Sequence, residues 1–227
     1  MNTQKDHYNM VLIGDNPLLT LGLRNLLLRI GNREHMSFNF IEVDTMEQAP
    51  QILEHTFSLH TIDYIFVFLH PPQITNSTIK YGTKLTRYIR KHSPETKIII
   101  ATTYSNPFHI RVILEDIVPE GFLVDEDLSH GKAFMVLRQI ILHPPYFSPV
   151  VTKVIHEDLS HRHHLDKWDY HILYELSQGA SLSDLVLLLP IGRSAIVKRK
   201  RKLKAYFGIQ GESDRSLVLM ARKKGLI

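Results

Sequence analysis

Residues 64–69 read YIFVFL: six apolar side chains in a row, all but the last aromatic or β-branched. A strand with one wet face alternates apolar and polar positions. An unbroken run asks for burial on both faces, the situation of a parallel sheet covered by helices. Pro71 and Pro72 stop the run, because proline removes a ladder donor. Working outward, similar short runs recur at Tyr8–Ile13 (YNMVLI), Phe38–Val43, Lys97–Thr103 (KIIIATT) and Gly121–Val124 (GFLV). Between them lie stretches with helical spacing of apolar residues: Leu18–Ile30, opened by Pro17, then Met46–His55, Tyr81–Lys91, Pro107–Asp116 and Asp127–Leu142. Five strands alternating with five helices predict an α/β doubly wound five-stranded parallel sheet.

The chain has 227 residues, room for one large domain or two small ones. A hydrophobic share of 44% and a charged share of 22% exclude wholesale disorder. No window approaches the ~18 consecutive apolar residues of a membrane span. The polar start MNTQKDHYNM lacks the apolar core of a secretory signal. Cysteine is absent, which excludes disulfides, thiolate zinc sites and a cysteine nucleophile. The expectation is a cytoplasmic protein without membrane contact.

After Pro144 and Pro145 the pattern changes. Residues 150–164 (VVTKVIHEDLSHRHH) are polar and rich in histidine, and read as the end of a helix plus a linker. From Leu165 onward only helical patterns occur. Trp168–Gln178 carries one apolar face and Gly179 ends it. Ser181 with Asp184 three positions on forms an acidic capping box for a helix to Leu189. Pro190-Ile191-Gly192 is a turn, Ser194–Phe207 a third helix, and Ser213 and Asp214 start a fourth, running to about Lys224. The predicted organisation is a domain at 1–149, a linker at 150–164 and an all-α four-helix domain at 165–227.

These residues resemble a known family. VLIGDNPLLTLGLRNLL in 11–27, the segment from Asp63 to Pro72, KIIIATTYS in 97–105 and GFLV in 121–124 are similar to the receiver domain of bacterial response regulators, a flavodoxin-like fold. The tail from Leu165 to Ile227 resembles the NarL/LuxR-type helix-turn-helix domain, in wording close to versions from Bacteroidetes. A family receiver stores its signal as an acyl phosphate on an aspartate at the end of strand three. It needs Mg²⁺ held by an acidic pair after strand one, a hydroxyl after strand four and a lysine after strand five. In this sequence the resemblance assigns the acidic pair to Gly14 and Asp15, the acceptor to Phe68, the hydroxyl to Thr102 and the lysine to Asp125. Three of the five positions are lost and one changes sign. The expectation is a pseudo-receiver that undergoes no phosphotransfer. Two readings of Phe68 stand: apolar bulk filling a vacated acidic pocket, or one wall of a remodelled pocket of Asp15, Phe68, Thr102 and Asp125 that binds a small ligand. Tyr104, the aromatic that reports phosphorylation in the family, is read as a packing or partner-surface residue.

Charge is uneven. Residues 1–150 hold 13 Lys and Arg against 15 Asp and Glu, whereas 151–227 hold 14 against 8. Seven bases fall between Arg193 and Lys204 with no acid among them, the footprint of a polyanion partner. On a helix over 194–207, Ile196, Leu203 and Phe207 form an apolar stripe. Lys200 shares that stripe, its stem packing while its ammonium snorkels out. Val197, Lys198, Arg201 and Lys204 face the other way, the face that fits a major groove. The resemblance places groove contacts at 197, 198 and 201; Arg201 and Lys198 suit guanine O6 and N7. Arg193, Ser194, Arg199 and Lys202 are expected at phosphates. Neutralising about five phosphates predicts a slope near −4.5 of log K against log salt.

The expected partners are double-stranded DNA and a second copy of the chain, since such domains bind as two-fold pairs. The dimer surface is left between the fourth C-terminal helix and the segment His109–Leu142, and a further protein partner at the receiver surface stays open. Trp168 reads as a core anchor. The run His161-Arg162-His163-His164 lacks the fixed geometry of a metal site, so neither metal nor cofactor is expected. The 14 histidines predict tighter DNA binding at mildly acidic pH. No catalytic motif is evident. The sequence therefore reads as a DNA-binding transcription regulator that is not an enzyme; the alternative is an interaction or ligand-sensing regulator working through the altered receiver.

Overall fold

The computed structural model describes residues 6–69, 76–103, 105–129, 131–161 and 165–227. Tyr104, the Pro71-Pro72 stop, Arg162, His163, His164 and the His161 side chain lie outside the described residues. The chain divides into two compact units, 1–105 with 113–152, and 106–112 with 153–227.

The first unit is built on a parallel sheet of β1 (His7–Ile13), β2 (Ser37–Val43), β3 (Tyr64–Leu69), β4 (Lys97–Thr102), β5 (Gly121–Val124) and β6 (Tyr146–Phe147). The strand order is β2-β1-β3-β4-β5-β6, all neighbours parallel. Its helices are α1 (Pro17–Glu34), α2 (Ala49–Leu59), α3 (Asn76–His92), the second part of α4 (Pro107–Ile117), and α5 (Ala133–Leu142). Every residue of β3 is buried, as its unbroken apolar run requires. Tyr64, Phe66 and Phe68 alternate onto one face and join a core with Leu23, Leu27 and Ile30 of α1 and Leu137, Ile140 and Ile141 of α5. Asn16 caps α1, its side chain accepting from the Leu18 and Leu19 amides, with Pro17 in the first turn.

Three expectations need correction. The sheet has six strands rather than five. Tyr146 N–H donates to Glu120 O at 3.1 Å and Ser148 N–H to Phe122 O at 3.0 Å, a pairing too short to leave a periodic signal. The helix expected over Asp127–Leu142 is a 3₁₀ turn at Asp125–Asp127 followed by α5, because Gly131 sits at φ +90° and breaks the helical path. The helix expected from Met46 begins at Ala49, with Pro50 in its first turn.

The segment expected as a linker is mostly helical: α6 spans Pro149–His161. Val151 and Val154, one turn apart, are both buried, an apolar stripe hidden among polar neighbours. The second unit continues through α7 (Lys167–Ser177), α8 (Leu182–Leu188), α9 (Arg193–Tyr206) and α10 (Asp214–Lys223). Asp166 caps α7, Ser181 and Asp184 form a reciprocal capping box on α8, and Ser213 caps α10. Gly179, at φ +93°, follows α7. The core joins Ile172 and Leu173 of α7, Leu185 and Leu189, Ile196 and Leu203, and Leu217 and Ala221 of α10. Trp168 is only half-buried against this core; Ile172 and Leu173, fully buried, anchor α7 instead.

Candidate functional site

α9 separates its two faces sharply. Ile196 and Leu203 are fully buried and Phe207 nearly so, as the 3.6-residue period demands. On the opposite side Arg193, Ser194, Lys198, Arg201 and Lys202 are exposed, and Val197 is half-buried. Among the described residues, no carboxylate forms an ion pair with Arg193, Lys198 or Arg201. Lys202 reaches Asp169 at 3.5 Å while remaining 56% exposed.

The other cations of the helix are turned inward. Arg199 Nη1 donates to both carboxylate oxygens of Asp166 at 2.7 Å and to Asp169 Oδ1 at 2.9 Å. Burial pushes the Asp166 carboxyl up, but the Arg199 hydrogen bond and the α7 backbone amides outweigh it and hold it below its usual value. Asp169 is fully buried, so the guanidinium offsets a desolvated carboxylate. Lys200 pairs with Asp214, and Lys204 donates to Glu212 O at 2.6 Å and approaches Asp214 at 3.1 Å. Burial of Asp214 is likewise outweighed by its two lysines, which lower its pKa. Lys200 does not snorkel, and Lys204 does not join the exposed side of α9: both ammonium groups are held at the start of α10. Arg199, expected at a phosphate, is committed to α7. Sequence reading missed this because the acids that hold the three cations lie 10 to 33 residues away.

In the first unit, Gly14 and Asp15 follow β1, Phe68 lies near the end of β3, Thr102 ends β4 and Asp125 follows β5. All sit at the carboxyl edge of the sheet, where open α/β sheets place their ligand sites. Phe68 is 5% exposed and part of the core. A β-carbon at position 14 would lie 2.9 Å from both Cβ and Cδ2 of Phe68. The missing side chain at 14 and the ring at 68 thus occupy complementary space. The Thr102 hydroxyl donates to Leu69 O at 2.8 Å. Asp15 and Asp125 are exposed. A cavity of about 120 Å³ does reach Phe68, but its walls are apolar and include none of Asp15, Thr102 and Asp125. Among the described residues this apolar cavity is distinct from the four-residue pocket that is one of the two readings of Phe68.

Two features carried no sequence signal. Asp127, the last of three consecutive acids, is buried; desolvation raises its pKa, against hydrogen bonds from the Val124 amide and the Tyr146 hydroxyl. In the second unit Arg111 is 2% exposed, bonded to Asp158 at 2.6 Å and to Leu226 O at 2.7 Å, over the Tyr170 ring. Burial next to Tyr174 and His171 lowers the His109 pKa to about 4. Buried His109 and Arg111 give the expected dimer segment His109–Leu142 little to offer a partner at its start.

No protein-family model matches the chain, and no curated protein matches its sequence. Solved structures do. The chain is similar to RcsB in a structure of two RcsB dimers bound to two parallel DNAs, at 18% identity and a TM-score of 0.55, over 95% of this chain and 98% of that one. It is similar to RcsB from Salmonella enterica serovar Typhimurium bound to the promoter rprA with phosphomimetic BeF3−, at 17% identity and a TM-score of 0.53, over 94% and 98%. The Salmonella typhimurium RcsB response regulator in a DNA-interaction study matches at 18% identity and a TM-score of 0.52, over 96% and 99%. The fold is that of these response regulators. Among the described residues, no helix is long and apolar enough to cross a membrane.

Proposed function

We propose that this chain is a sequence-specific DNA-binding transcription regulator of the NarL/LuxR helix-turn-helix type, whose receiver-like unit works without aspartyl phosphorylation. The observation that carries the reading is the exposed face of α9, where Arg193, Lys198 and Arg201 stand without a carboxylate partner among the described residues. A solvated face gains little from leaving cations unpaired beside a helix that pairs Arg199, Lys200 and Lys204; a polyanion gives them a role. In this reading α8, the turn at 189–192 and α9 form the reading motif, and α9 enters the major groove. Lys198 and Arg201 donate to guanine edges, and Val197 offers a thymine methyl contact. Ser194, Arg193 and Lys202, with the open amides of the α9 N-terminus, meet phosphates. Arg199 and Lys204 serve the fold instead. The chain acts on DNA as a homodimer, in keeping with the RcsB dimers it resembles, and carries out no enzymatic step.

Phosphorylation independence follows from chemistry. Phe68 has no nucleophilic atom, position 14 has no ligand atom, and Asp125 carries the wrong sign for a phosphoryl group. Fluorescence anisotropy with a duplex selected from a random pool tests the DNA reading. Lys198→Ala and Arg201→Ala are expected to weaken selected-site binding by about tenfold each, from the ~1–3 kcal/mol of a bidentate base contact. Unchanged affinity in both variants removes the mechanism and favours an interaction module. Incubation with acetyl phosphate and Mg²⁺ is expected to leave the intact mass unchanged; a stoichiometric phosphoryl adduct refutes the second half.

A further inference from the structure

The cavity beside Phe68 adjoins a second feature of the same unit. Its inner walls come from Leu19 and Leu23 of α1, Phe66 and Phe68 of β3, Ala101 of β4 and Leu137 of α5, enclosing about 120 Å³. Three residues that line it, Leu26, Leu128 and Ala133, also line an open groove bounded by Arg29, Arg33, Ser129 and Phe134. The apolar chamber and the groove therefore adjoin one another at these three residues. Arg29 and Arg33 are one helical turn apart on α1, and both guanidinium groups lie against the Phe134 ring, at 5.5 and 5.9 Å. Both are exposed. Among the described residues Arg29 forms no ion pair, and Arg33 pairs only with Glu34, at 3.8 Å. Glu34 is itself held by Arg138 at 2.6 Å, which leaves the two cations facing the groove without a strong partner.

We infer that this depression is a binding site for a monocarboxylate with a short apolar tail, a medium-chain fatty acid. The tail enters the chamber under Phe68 and the carboxylate rests between Arg29 and Arg33. Size supports the class: an apolar cavity of roughly 150 Å³ takes up benzene and stays dry when empty, so this smaller chamber holds the last roughly five carbons of a tail. Charge supports it as well, since guanidinium is the side chain best matched to a carboxylate. The occupant would press on Phe68, the position from which the family's phosphoryl signal is missing. The site lies within the first unit alone and stands whether or not α9 reads DNA.

Octanoate is the probe, titrated into the full chain by isothermal calorimetry, with acetate as head-only and 1-octanol as tail-only controls. Octanoate is expected to bind in the micromolar to millimolar range and raise Tm, while acetate at about 10 mM does neither. Arg29→Ala with Arg33→Ala weakens octanoate at least tenfold and leaves 1-octanol unchanged. Gly22→Leu tests the chamber without endangering the fold, because a β-carbon there meets no atom within 4 Å; it lines the cavity and is expected to abolish octanoate binding with no loss of Tm. Octanoate affinity that ignores both variants overturns the proposal. So does absence of binding at about 10 mM, and if Gly22→Leu then dissociates a dimer in sedimentation, the depression belongs to a second copy of this chain.

Discussion

Replacing Phe68 by alanine measures how much the ring near the end of β3 contributes to the core. The ring is 5% exposed and packs with Leu23, Ala101 and Leu123. Its transfer from water contributes about 2 kcal/mol. Removing roughly 100 Å³ of side chain adds a cavity penalty near 24 cal/mol per Å³, about another 2 kcal/mol where the walls cannot collapse. Collapse is limited, because the ring already borders about 120 Å³ of open space. The expected loss for Phe68→Ala is about 4 kcal/mol, read from urea denaturation followed by far-UV circular dichroism. Phe68→Asp costs at least as much, since it adds a charge to apolar surroundings. Gly14→Ala provides an internal check: its methyl meets the ring at 2.9 Å, so it costs about 1–3 kcal/mol alone through overpacking. It costs less in the Phe68→Ala background, where the ring contacts are gone. A loss below about 1 kcal/mol for Phe68→Ala, or strict additivity with Gly14→Ala, refutes the packed-ring account.

Arg199→Ala is expected to destabilise the chain by about 2–3 kcal/mol by removing the nearest cation from buried Asp169, whereas exposed Arg201→Ala shifts stability by less than about 0.5 kcal/mol; thermal melts of the pair separate fold from recognition. With Arg193 and Lys202 as the cations of α9 placed at phosphates, log K against log salt is expected to fall with a slope near −1.8 rather than −4.5, and a slope near −3.6 returns Arg199 and Lys204 to the phosphates. Acid acts in two windows. Folded His109 stays neutral down to about pH 4, so its unfolded form binds the extra proton and stability falls as pH drops from about 6.5 toward 4, by about 1 kcal/mol at pH 5 after allowance for solvent screening. NMR titration of His109 above pH 5.5 contradicts this. Asp166 and Asp214, held below their usual values, contribute stability above about pH 4 that is lost as pH falls through their lowered folded values.

How much the sequence disclosed depended on whether the cause was local. β3 and β5 were legible to the residue, because unbroken apolar runs bounded by proline or glycine leave few alternatives. The caps at Ser181 and Ser213 were legible too, since a capping side chain acts on amides two or three positions away. β6 was not, because two residues carry no period. α6 was read only as the end of a helix before a linker, because its histidines mask the stripe of Val151 and Val154. The exposed side of α9 could be read from spacing, but the fates of Arg199, Lys200 and Lys204 could not, since they depend on Asp166, Asp169 and Asp214. At the carboxyl edge of the sheet the residue types at 14, 68 and 125 were visible one by one. That the space behind Phe68 is apolar and open required the three-dimensional arrangement of α1, β3 and α5.

The split among the cations of α9 sets terms for re-engineering. If α9 reads DNA as proposed, a designer who wants a new operator preference can randomise positions 194, 197, 198 and 201 without touching the scaffold, whereas Lys202 keeps its contact with Asp169. Transplanting the whole helix into a foreign domain would carry along three charges that expect acids from its old neighbours. Such a chimera would need Asp166, Asp169 and Asp214 moved with it, as one heritable block.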